Sequence, residues 1–302
     1  MMLKIMVPVS IIVKLLQISG GIEIIGSALA PIMKLVGLPG EMGLVWATGM
    51  ITNLFGGVIA FINLSGNHPL TVAQITILAT MMLVAHTFPI ELQIARKSGL
   101  KLITMLFIRF GFAFLFGLIL HTFYSQFNLL GETAIIKLKP DLIQDLTILG
   151  WIKNELKNYL IIFLFIFSLM FLIKLLKVLG IIKLITKLIS PLLRFLGISE
   201  SVTTITIVGL TLGIVYGGVL IINESKSNEI KRRDIFYSMT LMGLCHSVIE
   251  DSILMISIGG HYSGIIIGRI ILSLIITFII VKITSRFSDA LFGKLFLNKV
   301  KI

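Results

Sequence analysis

Two short stretches carry the side chains of this sequence that could do chemistry. Residues 85–91 read AHTFPIE, and residues 245–251 read CHSVIED. In each stretch a hydroxyl residue follows a histidine, and an acid stands five positions after that histidine. A histidine near a carboxylate can relay a proton, contact a solute or bind a metal ion. Because His86 and His246 are 160 residues apart, the cluster occurs twice, and its chemistry depends on the elements that hold it.

The composition places both clusters in a multi-pass membrane protein. Mean hydropathy is +1.06, 57% of the 302 residues are hydrophobic and 13% are charged. Apolar stretches of about 18 or more residues recur along the chain, which predicts membrane-spanning helices. The first of them has no small-residue cleavage site, so we expect it to be a retained helix. The single cysteine, Cys245, excludes an intrachain disulfide and a thiolate metal cluster.

The basic balance of the chain points to its membrane topology. The formal net charge is +12, and Lys and Arg accumulate in the cytoplasmic loops of membrane proteins. We therefore expect lipid as the surrounding partner and no binding to nucleic acid. A homo-oligomer is compatible with the sequence.

The chain also repeats itself. Residues 11–40 align without gaps with residues 171–200. The identities include polar residues, Gly and Pro, which chance seldom matches in an apolar sequence, such as Lys14/Lys174, Gly20/Gly180, Pro31/Pro191, Gly57/Gly217, Asn63/Asn223, His86/His246 and Arg109/Arg269. We predict two homologous transmembrane repeats, 1–124 and 158–302, joined by an extramembrane linker at 125–157.

The predicted fold is an all-α polytopic bundle with about 8–10 membrane segments. Some of these segments are expected to be re-entrant or broken helices. The second segment of each half is ambiguous, because Lys183, Lys187 and Arg194 give it an amphipathic pattern in the second half. It fits either an interfacial helix or one arm of a re-entrant hairpin.

Equivalent loops of the two halves differ in charge. The loop 95–101 is basic, whereas its counterpart 257–264 has no Lys or Arg. Conversely, the loop 65–70 has none, and its counterpart 225–234 has four. This pattern predicts that the two halves are inserted in opposite orientations. The basic loops and both termini would then be cytoplasmic, with the linker outside.

Each half can pair an acid with an arginine inside the membrane. Glu91 precedes a turn near residue 100 by nine positions, and Arg109 follows it by nine, so both lie about 13 Å from that turn. Asp251 and Arg269 flank position 260 in the same way. The pairs either lock the helices together or bind an ion or an anionic solute when they separate.

The histidines are expected near the membrane midplane, either as satisfied core residues or as parts of a proton relay. Metal ligation is less favoured. Glu250 shares a helical face with His246, but Ile90 stands at the equivalent place in the first half. His86 and Glu91 would diverge by about 140° on a continuous helix. We therefore predict no metal site and no cofactor.

Glycine pairs in the third segments mark the predicted solute site. They permit either a broken helix, which commonly lines a solute site between repeats, or close helix packing. Asn53 aligns with Gly213, so its amide would give specificity in one half only. The predicted solute-binding residues are Asn53, Gly56, Gly57, Gly217 and Gly218. Enzyme motifs such as Gly-x-Ser-x-Gly, the Walker loop and His-Glu-x-x-His do not occur, so we expect no catalysis.

The stretches 37–57 (GLPGEMGLVWATGMITNLFGG) and 70–91 (LTVAQITILATMMLVAHTFPIE) resemble the nucleoside-recognition, or Gate, domain. That domain occurs in concentrative nucleoside transporters, in the membrane part of ferrous iron transport protein B and in spore maturation proteins A and B. The resemblance covers about 20–110 and 180–270. The signature His-[Ser/Thr]-x-Pro-x-Glu is complete in the first copy, whereas Ile249 and Asp251 depart from it in the second.

The resemblance implies transport or gating of a small solute without identifying that solute. The chain lacks the GTPase domain of the iron transporter. The first hypothesis is an ion-coupled transporter or gate of the bacterial inner membrane, for a nucleoside-like or ionic solute. Its predicted ion-coupling or intramembrane polar residues are His86, Glu91, Arg109, His246, Glu250, Asp251 and Arg269. The alternatives are a non-transporting scaffold or assembly subunit, and an ion channel.

Overall fold

The protein is all-α in the computed structural model, which describes residues 3–65, 69–136, 138, 147–224 and 230–298. Within these ranges no β-strand occurs beyond two isolated bridges, as the sequence predicts. The helices of the first half are α1 Leu3–Ile18, α2 Gly21–Leu35, α3 Glu41–Ile51, α4 Leu54–Leu64, α5 Val72–Val84, α6 Phe88–Lys97 and α7 Leu102–Gln126. Those of the second half are α8 Ile148–Val178, α9 Ile181–Phe195, α10 Glu200–Leu212, α11 Ile214–Glu224, α12 Arg232–Leu244, α13 Glu250–Ser257, a π-helix Ser263–Gly268 continued by α14 Arg269–Thr284, and α15 Asp289–Phe296.

Helix bounds recur at the spacing found in the sequence. Adding 160 to the bounds of α2, α4 and α5 gives the bounds of α9, α11 and α12. This agreement supports two repeats. Helix α8 begins at Ile148, so residues 148–157 of the predicted linker are helical. The linker residues Lys137, Lys139, Pro140, Asp141 and Asp145 lie outside the described residues.

Within the described ranges, four helical stretches are long and apolar enough to cross a membrane. They are Val72–Lys97, which comprises α5 and α6, and Leu102–Gln126, Ile148–Leu176 and Ser263–Thr284. A fifth results if α1 and α2 count as one span despite a 93° bend between them. This number is below the 8–10 segments expected from hydropathy, because several apolar segments are divided into short helices.

The bend between α1 and α2 bears on the ambiguous second segment. Gly20 and Gly180 precede α2 and α9, and both adopt left-handed φ values of 70° and 73°, which glycine accepts without steric cost. Helix α9 is strongly amphipathic. The 93° turn of α2 from the apolar α1 fits an interfacial position for α2, and the amphipathic pattern of α9 fits the same position in the second half.

The third segment of each half is a helical hairpin rather than one long helix. In the first half the break falls at Asn53, whose Oδ1 accepts a hydrogen bond from Gly56 N at 2.9 Å and so caps α4. In the second half the break falls at Gly213, which has a φ of 103°. Equivalent positions thus interrupt the helix by different means, a polar cap and a left-handed glycine.

Glycines allow the two arms of each hairpin to pack closely. A Cβ placed on Gly57 would lie 3.1 Å from Gly49 Cα, and one placed on Gly217 would lie 2.6 Å from Gly209 Cα. Both sites also contact a methionine of the following helix, Met82 in the first half and Met242 in the second. Close helix packing therefore explains Gly57 and Gly217.

The two halves run in opposite directions at their centre. At one end Lys101 N donates to Phe296 O at 2.8 Å, and the Phe236 ring near the start of α12 lies 4.5 Å from the Phe296 ring. At the other end His261 N donates to Thr76 Oγ1 at 2.8 Å. The path α5–α6 therefore leads towards α15, whereas the path α12–α13 leads away from it.

Basic residues gather at the end that contains α15. This basic end comprises residues 96–101, 231–233 and 286–298, and its cations are Arg96, Lys97, Lys101, Lys231, Arg232, Arg233, Arg286 and Lys294. The described segments of the opposite end, 71–76, 124–135 and 257–263, contain no Lys or Arg. The positive-inside rule therefore predicts that the basic end is cytoplasmic. Inverted insertion of the halves stays a prediction that labelling can test.

We predict that Lys97→Cys is protected and Tyr262→Cys is labelled by a membrane-impermeant thiol reagent in intact cells. Both variants carry Cys245→Ser, since Cys245 is the free thiol of the chain. Both positions are exposed, and they lie at opposite ends of the bundle. Labelling after membrane permeabilisation is the control for reactivity. Equal protection or equal labelling in intact cells would contradict inverted halves.

We expect Gly217→Ala to destabilise the protein by about 1–3 kcal/mol, because the new methyl group overlaps the backbone of Gly209. The measurement is the thermal unfolding midpoint of purified protein in detergent. Gly111→Ala is the matched control, since a Cβ at Gly111 meets no atom within 4 Å. An unchanged midpoint for Gly217→Ala would show that the hairpin arms are not in close contact.

Candidate functional site

The two histidine stretches lie at helix breaks that occupy equivalent places. Helix α5 ends at Val84 and α6 begins at Phe88, while α12 ends at Leu244 and α13 begins at Glu250. The residue after each histidine is left-handed: φ is 51° at Thr87 and 46° at Ser247. A residue with a Cβ pays about 1–2 kcal/mol for that conformation. Such backbone strain persists where the surroundings fix it, and it concentrates at functional sites.

Each break frees backbone carbonyl groups, and the histidines bind one of them. His86 Nδ1 lies 2.8 Å from Met82 O, and His246 Nδ1 lies 2.8 Å from Met242 O. A carbonyl oxygen only accepts hydrogen bonds, so Nδ1 is the protonated nitrogen of both rings. In the neutral imidazole, Nε2 then carries a free lone pair.

The arginines bind further carbonyl groups at the same breaks. Arg109 Nε donates to Val84 O at 3.0 Å. Arg269 Nη2 donates to His246 O at 2.5 Å. Unsatisfied backbone groups in an apolar core cost several kcal/mol, so the histidines and arginines stabilise both breaks.

The breaks meet at the centre of the molecule and bring their polar side chains together. His86 Nε2 and His246 Nε2 are 3.2 Å apart. Glu91 Oε1 lies 3.5 Å from His86 Nε2 and 3.3 Å from His246 Nε2. Asp251 Oδ2 lies 3.9 Å from His86 Nε2. We call His86, His246, Glu91 and Asp251 the central cluster.

The central cluster is shielded from solvent. His86 and Glu91 are each 4% exposed, and His246 is 2% exposed. The side chain of Asp251 is 13% exposed. Electrostatic interactions in such an interior are stronger than in water, and an ionised group there requires a partner.

The acid–arginine pairs predicted from spacing differ between the halves. Arg109 Nη1 forms an ion pair with Glu91 Oε2, as the spacing predicts. The pairing of Asp251 with Arg269 is wrong for this structure, because no ion pair joins these two described side chains and Arg269 binds the His246 carbonyl instead. Nε and Nη1 of Arg269 have no hydrogen-bond partner among the described residues. The pseudo-symmetric centre is therefore electrostatically asymmetric.

The angular argument against a histidine–acid site is also wrong. It assumed that one continuous helix carries His86 and Glu91, which would separate them by about 140°. The break at residues 85–87 removes that assumption, and the two side chains approach to 3.5 Å. Glu250 begins α13 beyond the second break and is partly exposed, so it does not share one continuous helix with His246. Its role in ion coupling stays a prediction.

The structure assigns local roles to the residues predicted to bind a solute. Asn53 caps α4 through Gly56 N. Gly57 and Gly217 serve the hairpin packing described above. Gly218 lies against Ile94 of α6, so α11 of the second half packs on the first half there. A role in solute binding stays a prediction for these residues.

Sequence reasoning missed Met82 and Met242. Each stands four residues before its histidine, contributes the carbonyl that fixes the ring and packs against a hairpin glycine. Their equal spacing of 160 residues was visible in the sequence. It carried no signal, because apolar matches are common in a membrane protein.

Comparisons with known proteins agree with the resemblance in the first half. Residues 1–101 match the family model described as nucleoside recognition (Gate). The chain is 25% identical over 299 residues to the uncharacterized membrane protein YvoD of Bacillus subtilis (strain 168). This alignment covers 96% of the chain and 93% of YvoD. No solved structure matches the chain.

The family match includes both stretches that carry the resemblance and the complete signature from His86 to Glu91. A Gate-like character of residues 180–270 stays a prediction. Several apolar helices long enough to span a membrane occur in the same chain as this match. Residues 1–101 are therefore similar to the nucleoside-recognition, or Gate, domain, and the chain is a multi-pass membrane protein.

Proposed function

We propose that this protein is a transporter or gate for a small solute in the bacterial inner membrane, working by alternating access between its two halves. The observation that carries the proposal is the central cluster, to which each half contributes one histidine and one acid across their interface. Buried ionisable residues inside a membrane bundle mark solute or ion pathways by default.

The broken helices support the same function. Discontinuous helices near the interface of inverted repeats commonly form the solute and ion sites of secondary transporters. Here each half has a broken third segment and a break after α5 or α12. In the second half the two breaks adjoin, because a Cβ on Gly213 would lie 2.8 Å from Ser247 Oγ.

The electrostatic asymmetry of the centre suggests how the two halves alternate. In this structure the acid of the first half, Glu91, forms an ion pair with Arg109, whereas no direct ion pair joins Asp251 and Arg269 among the described residues. In transporters built from inverted repeats, one repeat moves against the other around a fixed site when access changes sides. We therefore propose that the opposite state pairs Asp251 with Arg269 and releases Glu91.

The solute class follows from the groups beside the breaks. Histidines, carboxylates and the Asn53 amide are suited to a small polar or ionic solute. The similarity to the Gate domain makes a nucleoside-like molecule one of the candidate solutes. We also propose that transport is coupled to an ion gradient and that the protein catalyses no reaction.

Transport is tested with the purified protein in liposomes. Radiolabelled nucleosides and small inorganic ions are offered in turn, with an imposed proton or sodium gradient. We expect saturable uptake of at least one solute, and we expect His246→Ala to reduce it by tenfold or more. His121→Ala, outside the central cluster, is the control. Equal uptake by wild-type protein and His246→Ala would contradict a role for the centre, and gradient-independent flux of ions without saturation would indicate a channel.

The ion pair separates a transporter from a scaffold. We predict that Glu91→Leu and Arg109→Leu each destabilise the protein by about 3–5 kcal/mol, since each leaves an unpaired buried charge. The double variant should regain the part of that stability that is lost through the unpaired charge, because two apolar side chains replace the pair. It should stay below the wild type, because Val84 O has also lost its Arg109 donor. The unfolding midpoint in detergent gives stability, and liposome uptake gives function.

For a transporter, the double variant is folded and inactive, because the alternating ion pair has been removed. Uptake by the double variant at the wild-type rate would contradict a role of this pair in transport. A stable double variant that restores growth of cells lacking the protein, while neither it nor the wild type takes up any solute, would instead favour the scaffold.

A further inference from the structure

We propose that His86, His246 and Glu91 bind one divalent metal ion, of the late first-row type represented by Zn²⁺ and Co²⁺, and that this ion joins the two halves. The inference concerns binding and does not depend on the proposed transport. The three ligand atoms would be His86 Nε2, His246 Nε2 and Glu91 Oε1, which lie within 4.8 Å of one another.

The distances between these atoms fit one face of a coordination tetrahedron. Zinc binds imidazole nitrogen and carboxylate oxygen at about 2.0–2.1 Å, so neighbouring ligands of a tetrahedral site are about 3.3–3.4 Å apart. The three observed separations are 3.2, 3.3 and 3.5 Å. One ion can therefore contact all three atoms with shifts of about 0.2 Å, which is within the tolerance for metal sites.

The tautomers of the histidines are fixed as metal ligation requires. Both Nδ1 atoms donate to a backbone carbonyl at 2.8 Å. Both Nε2 lone pairs consequently point to the centre. Metal-binding histidines almost always donate their second ring nitrogen to a carbonyl, a carboxylate or water, which orients the ring.

The protein groups alone leave these three atoms poorly satisfied. When both imidazoles are neutral, their Nε2 atoms and the carboxylate oxygen Glu91 Oε1 are all acceptors, and they face one another within 3.5 Å. Close acceptors repel unless a proton or a cation lies between them. A single metal ion would satisfy all three, whereas one proton lies between only two.

The neighbouring groups orient the carboxylates towards such an ion. Arg109 binds Glu91 Oε2 and leaves Oε1 towards the histidines. Asp251 Oδ2, at 3.9 Å from His86 Nε2, is the nearest candidate for the fourth ligand. The second half would then supply two ligands and the first half two. Imidazole nitrogen selects zinc-like ions over Mg²⁺ and Ca²⁺, which prefer oxygen.

The test is metal binding by the purified full-length protein in detergent after treatment with a chelator. Isothermal titration with ZnCl₂ measures affinity and stoichiometry, and CoCl₂ reports tetrahedral geometry through its visible absorption. We expect one ion per chain, no binding of MgCl₂ at the same concentrations, and a higher unfolding midpoint with Zn²⁺.

Two variants and one control identify the ligands. His246→Ala and His86→Gln should each weaken Zn²⁺ binding by at least tenfold and abolish the cobalt spectrum. The glutamine side chain of His86→Gln retains an amide N–H donor for the Met82 carbonyl, so this variant guards against loss of folding. His121→Ala, a histidine of α7 outside the central cluster, should bind Zn²⁺ like the wild type.

Absence of Zn²⁺ and Co²⁺ binding by the wild-type protein would overturn the inference. Equal binding by the wild type and by both cluster variants would also overturn it, by placing the ion elsewhere. Binding without solute uptake would retain the metal site and contradict the proposed transport. Solute uptake without Zn²⁺ or Co²⁺ binding would support the proposed transport and contradict the metal site.

Discussion

A helix that breaks in an apolar interior leaves carbonyl groups without a hydrogen-bond donor, because no water reaches them. The centre of this protein depends on the side chains that donate to those carbonyl groups. At the first break, His86 donates to Met82 O and Arg109 donates to Val84 O. At the second, His246 and Arg269 have the corresponding tasks. The same side chains that make each break tolerable therefore turn the remaining ring nitrogens and acids towards each other. Structural satisfaction and the potential for chemistry arise from one set of contacts.

The close approach of the two breaks depends on small residues further out. In each hairpin a glycine of one arm packs on a glycine of the other arm, Gly49 on Gly57 and Gly209 on Gly217. Both contacts also include the methionine whose carbonyl orients a histidine. Close packing at the hairpin therefore helps to fix the position of the histidine ring. A methyl group added at the hairpin would be felt at the central cluster, although the two are not in direct contact. This chain of contacts occurs in both halves with the same spacing.

Sequence reasoning predicted the outline of this centre but not its geometry. Residue types and spacing were sufficient for an all-α membrane protein and for the Glu91–Arg109 pair. The resemblance of the first half to a Gate domain agrees with the family match at residues 1–101. The breaks at Thr87 and Ser247 were not predicted, because neither residue is a typical left-handed type. Once the helix was assumed to be continuous, His86 and Glu91 were assigned to different faces. For the third segments the glycine pairs left a broken helix open as one alternative, and the breaks fall before those pairs, at Asn53 and Gly213.

The asymmetry of the ion pairs has a consequence for how the chain is made. Glu91 and Arg109 belong to the same half, so their charges neutralise each other without the second half. The residues that complete the centre, from His246 to Arg269, emerge from the ribosome about 160 residues later. At about 5–20 residues per second this interval lasts roughly 8–30 s. During that time the Glu91–Arg109 pair adds no net charge to the part of the first half that lies in the bilayer. The Nε2 atom of His86 is still free when the second half is inserted.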